Sequence, residues 1–144
     1  MVHDYKSINI YADPQNNLFL IPKGESSDLT MELDIIHELK HPYSDEELEN
    51  ALLESMDLCY SKLPSEELNS IIVKHLGLKS YSKATKDKRL VIFDWNSSEG
   101  YIVVPSIKKR GYEHLTEQSI FLGKSFKNGE LANAVKKAME LSSC

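Results

Sequence analysis

The sequence predicts an α+β fold in which one module, made of a strand hairpin, a further strand and a helix, is written twice. The stretch Ser44–Leu58 returns 83 positions later as Lys127–Leu141, with six identities in fifteen aligned positions. The same offset aligns Pro22 with Pro105. Short segments that alternate apolar and polar residues precede both helices, which is typical of antiparallel strands.

The length of 144 residues suits a single domain with its own hydrophobic core. We expect a first module over residues 1–61, a linking helix over 64–77 and a second module over 87–144. The linking helix has no counterpart in either repeat. The sheet should be mostly antiparallel, because each hairpin joins neighbouring strands through a short turn.

Each module opens with a predicted hairpin. In the first module the hairpin strands are Lys6–Ala12 and Leu18–Ile21, and in the second they are Arg89–Trp95 and Tyr101–Val104. The returning strands are expected to end at Pro22 and Pro105, because proline has no N–H to donate to a ladder. A further strand, Ile120–Leu122, is expected to be buried.

The two repeated helices carry apolar stripes at helical spacing, so their inner faces are expected to be core. Met56 and Met139 occupy equivalent places on the stripes, and both should be buried. Ser44 and Glu47 form the pattern of a capping box, which satisfies two N–H groups at the start of the first helix. Asn128 offers a weaker cap for the second helix.

The pattern H-E-x-x-H occurs at His37, Glu38 and His41. On a helix the two histidines could bind zinc, with the glutamate as general base. Strand-like alternation over Thr30–His41 contradicts this, because a strand holds the two histidines about 13 Å apart. Pro42 also disfavours a helical residue before it. We therefore expect no metal site, and a zinc hydrolase stays open as a minor alternative.

The rest of the chain offers no obvious place for chemistry. It lacks a glycine-rich phosphate loop, a nucleophile elbow and a Cys–His–Asp set, so we expect no catalytic residue and no cofactor. Lys79–Arg89 is basic and is expected to be an exposed linker. The beginning of the sequence has no signal-peptide pattern, and no apolar run reaches the roughly 20 residues of a membrane helix. A cytoplasmic protein without membrane contact is expected.

Charge is distributed unevenly along the chain. Residues 1–70 carry 15 acidic and 4 basic side chains, whereas residues 71–144 carry 7 acidic and 13 basic ones. An acidic half of this size indicates a surface that a basic partner could recognise.

The sequence resembles the CdiI-type immunity proteins of bacterial contact-dependent growth inhibition systems. The resemblance lies in the hairpins, the "SDEELENALLES" helix, the "GYIVVPS" strand and the final "GELANAVKKAMELSSC" helix. The resemblance covers most of the chain and rests on structural motifs. It implies a small protein that binds and neutralises one cognate toxin domain, the C-terminal part of a CdiA effector, which is often a nuclease. It carries over no functional residues and leaves the toxin's identity and the oligomeric state open.

A nuclease toxin needs positive surface to hold its substrate, so a protein that blocks it gains from presenting carboxylates. The residues predicted to bind the toxin lie on the loop and strand before the first helix and on that helix's outer face: Asp28, Glu32, Asp34, Ile36, Glu38, Glu46, Glu49, Glu54 and Asp57. The strand residues are favoured, because Glu32, Asp34 and Glu38 share one side of a strand and Ile36 adds an apolar anchor.

A second interpretation is a single-stranded nucleic-acid-binding module of Whirly- or PUR-like architecture. It would use the basic second half of the chain, including Lys83, Lys86 and Arg89. The net charge of −5 opposes nucleic-acid binding by the whole chain, because it repels phosphates.

Overall fold

The computed structural model describes residues 4–26, 29–64 and 71–144, and it confirms the α+β fold. Within these residues, eight strands form one sheet whose ladders are all antiparallel. The strands are β1 (Tyr5–Ala12), β2 (Leu18–Ser26), β3 (Leu29–Glu32), β4 (His37–Leu39), β5 (Arg89–Asn96), β6 (Gly100–Lys108), β7 (Tyr112–His114) and β8 (Ile120–Gly123). The helices are α1 (Asp45–Asp57), α2 (Ile71–Leu76), α3 (Tyr81–Ala84) and α4 (Glu130–Leu141).

The two modules have the same internal order. The sheet runs β3–β2–β1–β5–β6–β7, with β4 also paired to β2 and β8 also paired to β6. The first strands of the two modules, β1 and β5, are therefore neighbours at the centre. Asn9 pairs with Ile92, the residue 83 positions later, so the pseudo-twofold axis that relates the modules passes between this pair.

The expectation that Pro22 and Pro105 end their strands is wrong, because β2 and β6 continue past them. Each proline lies at the gap between the two short strands that pair with the outer side of β2 or β6. At this gap the carbonyl of Pro22 accepts from Leu33 N at 2.9 Å, and that of Pro105 accepts from Leu115 N at 2.8 Å. The missing N–H of each proline therefore falls where no ladder needs a donor.

Helices α1 and α4 cover one face of the sheet. Their apolar stripes pack with Ile8, Ile10, Val91 and Phe93 of the central strands in one hydrophobic core. Met56 is only 4% exposed, as expected. Met139 is half-buried, which corrects the expectation for it, and it borders a groove of about 440 Å³ beside α4.

The start of α1 is capped as predicted. Glu47 N donates to Ser44 Oγ at 3.1 Å, and Ser44 N donates to Glu47 Oε1 at 3.2 Å. These two bonds are the capping box, which satisfies backbone donors that an α-helix leaves free at its first turn.

The start of α4 is capped by a residue from the other module. Its N-cap is Gly129, without a side-chain bond, so the prediction for Asn128 is wrong. The carboxylate of Glu49 instead accepts from Gly129 N at 3.1 Å and from Ala132 N at 3.0 Å. Glu49 is 8% exposed and therefore does not lie on the outer face of α1, where we expected it. A buried carboxylate at a helix N-terminus meets free N–H groups and the positive end of the helix dipole.

Helices α2 and α3 lie on the opposite face of the sheet. Ile72, Val73 and Ala84 pack there against Tyr11, Ile92 and other residues of β1, β2, β5 and β6. The predicted linking helix is described only from Ile71 onward, since residues 65–70 lie outside the described residues. The basic stretch after it contains α3, with Ser80 as its N-cap, and is not simply the linker that we expected.

Two further strand predictions need correction. Thr30–His41 forms the separate strands β3 and β4, because buried Leu33 and its hydrogen bond to Pro22 interrupt the pairing with β2. Strand β8 is not buried throughout, because it pairs with β6 at the edge of the sheet and leaves Phe121 62% exposed.

Candidate functional site

The sheet is curled, and the face that carries α2 and α3 is its inner side. The rings of Tyr11 on β1 and Tyr112 on β7 lie 6.0 Å apart, although β5 and β6 separate their strands. In a flat sheet, strands in these positions are about 14 Å apart. The carboxylate of Glu32 on β3 likewise reaches across β2 and accepts hydrogen bonds from Asn9 and Tyr11 of β1. We call this inner side the concave face.

One end of the concave face is closed by α2 and α3. The hydroxyl groups of Tyr11 and Tyr81 lie 2.8 Å apart, and both rings pack edge-on against Tyr112. Burial raises the pKa of Tyr81 to about 12 and also raises the pKa values of Tyr11 and Tyr112. These phenols stay protonated at neutral pH, so they act as hydrogen-bonding and packing groups between the two modules.

The other end of the concave face is polar. Ser7 and Asn9 project from β1, Lys23 from β2, Asp94 from β5 and His114 from β7. Among the described residues, Ser7 Oγ, Asn9 Oδ1 and Asp94 Oδ1 are buried without a hydrogen-bond partner. We call these five side chains the polar cluster.

Burial shifts the pKa values of the charged members of the polar cluster. It raises the pKa of the Asp94 carboxyl, against the opposing effect of the Ser7 hydroxyl and the Lys23 ammonium. It lowers the pKa of Lys23, against the carboxylates of Asp94 and Glu32. Partial burial and Lys23 together lower the pKa of His114, which is therefore neutral at neutral pH. Perturbed groups of this kind collect at functional sites, where a ligand or partner recognises them.

We expect Asp94→Asn to raise the free energy of unfolding near neutral pH. The raised pKa of Asp94 means that folding disfavours its ionised form, a penalty that is fully present above the folded-state pKa. The penalty disappears below the unfolded-state value of 3.8, so the gain in the variant should shrink as the pH falls to that value. Urea unfolding of both proteins across this range measures it. A variant less stable than the parent at neutral pH contradicts the expectation.

The strand residues predicted to bind a toxin have different positions. Glu32 faces the polar cluster and accepts from Asn9 Nδ2 at 2.7 Å and from Tyr11 Oη at 2.8 Å. Glu38 lies on the same side of the sheet and bonds His75 Nε2 at 3.1 Å. Asp34 is exposed between β3 and β4, and Ile36 packs against the core beneath α2. Asp28 lies outside the described residues.

Three of the four helix carboxylates predicted as partner contacts are exposed on α1, namely Glu46, Glu54 and Asp57. The fourth, Glu49, is occupied by the N-terminus of α4. Exposed helix carboxylates are commonly just solvated, so position alone does not assign them a role.

The helix that a zinc site would need is not formed at the H-E-x-x-H pattern. His37 begins β4, and Glu38 is bonded to His75. Within the described residues no three side chains of His, Cys, Asp or Glu come together as a set of metal ligands.

Elemental analysis of the purified protein is therefore expected to find less than stoichiometric zinc, because residues 4–26, 29–64 and 71–144 bring no set of metal ligands together. A His37→Ala variant should have the same metal content as the parent. One tightly held zinc per chain that this substitution removes contradicts the expectation.

The sequence alone did not identify the polar cluster. One signal was available: Asp94 interrupts the apolar run of β5. A charged residue in such a strand is costly to bury unless it has a partner, so its presence indicates a specific role. The proximity of Asp94 to Lys23 and His114 has no signal in the sequence, because it depends on the curl of the sheet.

Comparisons with known proteins identify solved structures that share this fold. No protein-family model matches the sequence, and no curated protein matches it. A solved structure titled "Protein of Unknown Function NMB0488 from Neisseria meningitidis" superposes with a TM-score of 0.73 at 12% identity, covering 99% of each chain. A chain of the "CdiA-CT/CdiI toxin and immunity complex from Yersinia pseudotuberculosis" superposes with a TM-score of 0.69 at 10% identity, covering 97% of this chain and 98% of that one.

The two likenesses extend over nearly the whole chain, so this protein has the fold of a component of a toxin–immunity complex. At such low identity the similarity concerns the fold alone. No helix in the described ranges has the length and apolar content to cross a membrane.

Proposed function

We propose that this protein is a CdiI-type immunity protein that binds and neutralises the C-terminal toxin domain of a cognate CdiA effector. The observation that carries the proposal is the fold shared over almost the full chain with a component of the Yersinia pseudotuberculosis toxin and immunity complex. The sequence resemblance to CdiI-type proteins points the same way. We take the matching component to be the immunity protein, in line with that resemblance.

The mode of action in this proposal is binding and not catalysis. The polar cluster offers hydrogen-bonding groups on a rigid sheet, which suits recognition of another protein. The acidic first half of the chain suits a toxin with basic surface, as a nuclease has, because complementary charge speeds association and selects the partner. The cytoplasm, where such a toxin reaches nucleic acid, is the proposed location.

Within the predicted contact surface, the proposal now favours Glu32, Asp34 and Glu38 over the helix residues. Glu32 borders the concave face, Glu38 lies on the same side of the sheet, and Asp34 is exposed between them. Ile36 is half-buried and supports them from the core. Further proposed contacts are Asp28, Glu46, Glu54 and Asp57. Glu49 is no longer proposed as a contact, because its carboxylate accepts hydrogen bonds from the N-terminus of α4.

The proposal places a toxin domain in the reading frame immediately upstream of this gene, and the test is co-expression with that domain, which we call the neighbouring toxin domain. The parent chain is expected to restore growth and to form a complex whose association slows as salt rises. Charge reversal of Glu32, Asp34 and Glu38 together should weaken both binding and protection. Full protection by a folded triple variant moves the interface elsewhere, and no protection by the parent chain contradicts the proposed function.

Binding of single-stranded nucleic acid is expected to be weak and lost at physiological salt. The basic groups of the second half are partly engaged within the protein, since Lys108 Nζ donates to Thr85 Oγ1 at 2.8 Å and Arg89 donates to Met139 O at 3.2 Å. Filter binding across a salt series measures the affinity. Submicromolar binding at physiological salt, abolished by neutralising Lys83, Lys86 and Arg89, supports the Whirly-like alternative instead.

A further inference from the structure

The polar cluster contains buried atoms that lack partners. Ser7 is 1% exposed, and its hydroxyl makes no hydrogen bond of normal geometry within the described residues. The amide oxygen Oδ1 of Asn9 and the carboxylate oxygen Oδ1 of Asp94 are also buried and accept no hydrogen bond there. The Ser7 hydroxyl faces Asp94 across the β1–β5 ladder and lowers the pKa of that carboxyl, so it serves Asp94. Buried polar atoms in native proteins are nearly always paired, so the two acceptor oxygens without a donor indicate a site that another molecule completes.

The two acceptor oxygens lie on the same side of neighbouring strands. In the β1–β5 register Asn9 is opposite Ile92, and Ser7 is opposite Asp94. Asn9 and Asp94 are therefore diagonal neighbours, close enough for one ligand group to meet both side chains. The Nδ2 group of Asn9 donates to Glu32 Oε2 at 2.7 Å, which fixes the amide and leaves its Oδ1 free for a different donor.

The cluster has an uncompensated negative charge. Lys23 faces both Asp94 and Glu32, with Asp94 the stronger of the two charges, so one ammonium meets two carboxylates and one negative charge is left over. Lys23 forms no ion pair with Asp94 within 4.0 Å in the described structure. His114 adds no positive charge at neutral pH, because burial and Lys23 lower its pKa. A ligand group that supplies both N–H donors and one positive charge would balance the negative charge that remains on Asp94, Glu32 and Lys23 together.

We propose that the polar cluster is a socket for one arginine side chain of the partner protein. The inference rests on the proposed function, and it names the group that the partner inserts. A guanidinium carries its N–H donors in a planar fork, so it can donate to Asp94 Oδ1 and Asn9 Oδ1 together. An ammonium has no such fork, and a carboxylate or phosphate would bring acceptors to acceptors. Partial burial strengthens the charge-assisted bonds that the guanidinium forms.

The first arm of the test uses a small probe on the full chain. N-acetyl-L-arginine methylamide is titrated against the ¹⁵N-labelled protein and followed by NMR. Saturable shifts are expected at the Asn9 side-chain amide and at the backbone of Ser7 and Asp94. The matching citrulline compound, which has nearly the same shape without the charge, should give none. Shifts elsewhere only, or equal shifts with citrulline, overturn the socket.

Two variants control this titration. Asp94→Asn removes the charge at the socket and should weaken probe binding by at least about tenfold, as expected when one member of a partly buried charge pair is lost. Glu140→Gln removes an exposed carboxylate on α4, outside the cluster, and should leave binding unchanged. Unchanged binding in Asp94→Asn overturns the socket, and its fold is checked in the same spectra.

The second arm uses the neighbouring toxin domain and separates the two proposals. If the parent chain binds the toxin domain, Asp94→Asn should weaken the complex by at least about tenfold and Glu140→Gln by less. If Asp94→Asn binds as tightly as the parent chain, the socket is wrong while the proposed function stands. If the parent chain does not bind the toxin domain, the proposed function fails, and the probe titration alone decides whether an arginine socket exists.

Discussion

Met56→Ala is expected to lower the free energy of unfolding by about 2–5 kcal/mol, the usual cost of a large-to-small change in a packed core. Met56 is 4% exposed and lies between α1 and the sheet, in the core that also holds Leu52 and Phe93. The substitution leaves a cavity that these neighbours cannot fill. Urea unfolding of the parent and variant at matched conditions measures the loss.

The matched control is Met139→Ala, at the equivalent position of the second module. Met139 is half-buried beside the groove at α4, so less apolar surface is lost and water can occupy the space. Its expected cost is about 1 kcal/mol. Equal losses for the two variants contradict the difference in burial that separates these repeated positions.

Glu49→Ala is expected to lower the free energy of unfolding by about 1–3 kcal/mol, the cost of leaving buried hydrogen-bond donors unpaired. The substitution removes the acceptor for Gly129 N and Ala132 N at the start of α4. It also removes the negative charge that the helix dipole favours at that end. Thermal or urea unfolding measures the effect.

Glu54→Ala is the control for this cap. Glu54 lies on the same helix but is exposed, so its loss should change the free energy of unfolding by less than about 0.5 kcal/mol. Glu49→Gln keeps an acceptor oxygen and should lie between the two. A Glu49→Ala variant as stable as Glu54→Ala would show that the carboxylate does not hold the helices together.

The doubled architecture could be predicted from the sequence because its signals are local. Identities at one constant offset identify the repeat, and strand periodicity identifies the hairpins. Ser44 and Glu47 fix the start of α1 through contacts three residues apart. The hairpins and the cap depend on residues near one another in the chain, where spacing determines geometry, and the repeat needs only a comparison of the sequence with itself.

The errors arose where distant segments meet. Periodicity locates the stripe of α1 that faces the sheet, but it does not reveal that α4 packs along the flank where Glu49 lies. Pro22 was predicted to end its strand because proline lacks an N–H. The strand continues because Pro22 lies at the gap between β3 and β4, where no neighbouring strand needs that donor. In both cases a neighbouring element changes what the residue does.

By itself, the sequence determined that two strand-and-helix modules share one antiparallel sheet and that the acidic residues concentrate in the first half. Only the tertiary structure decided that the sheet curls enough for Tyr11 to meet Tyr112, and that Asp94 and Asn9 face one space beside Lys23. The curl is the cumulative twist of strands that are far apart in sequence. No local sequence pattern encodes this cumulative twist, and the candidate site exists only because the sheet curls.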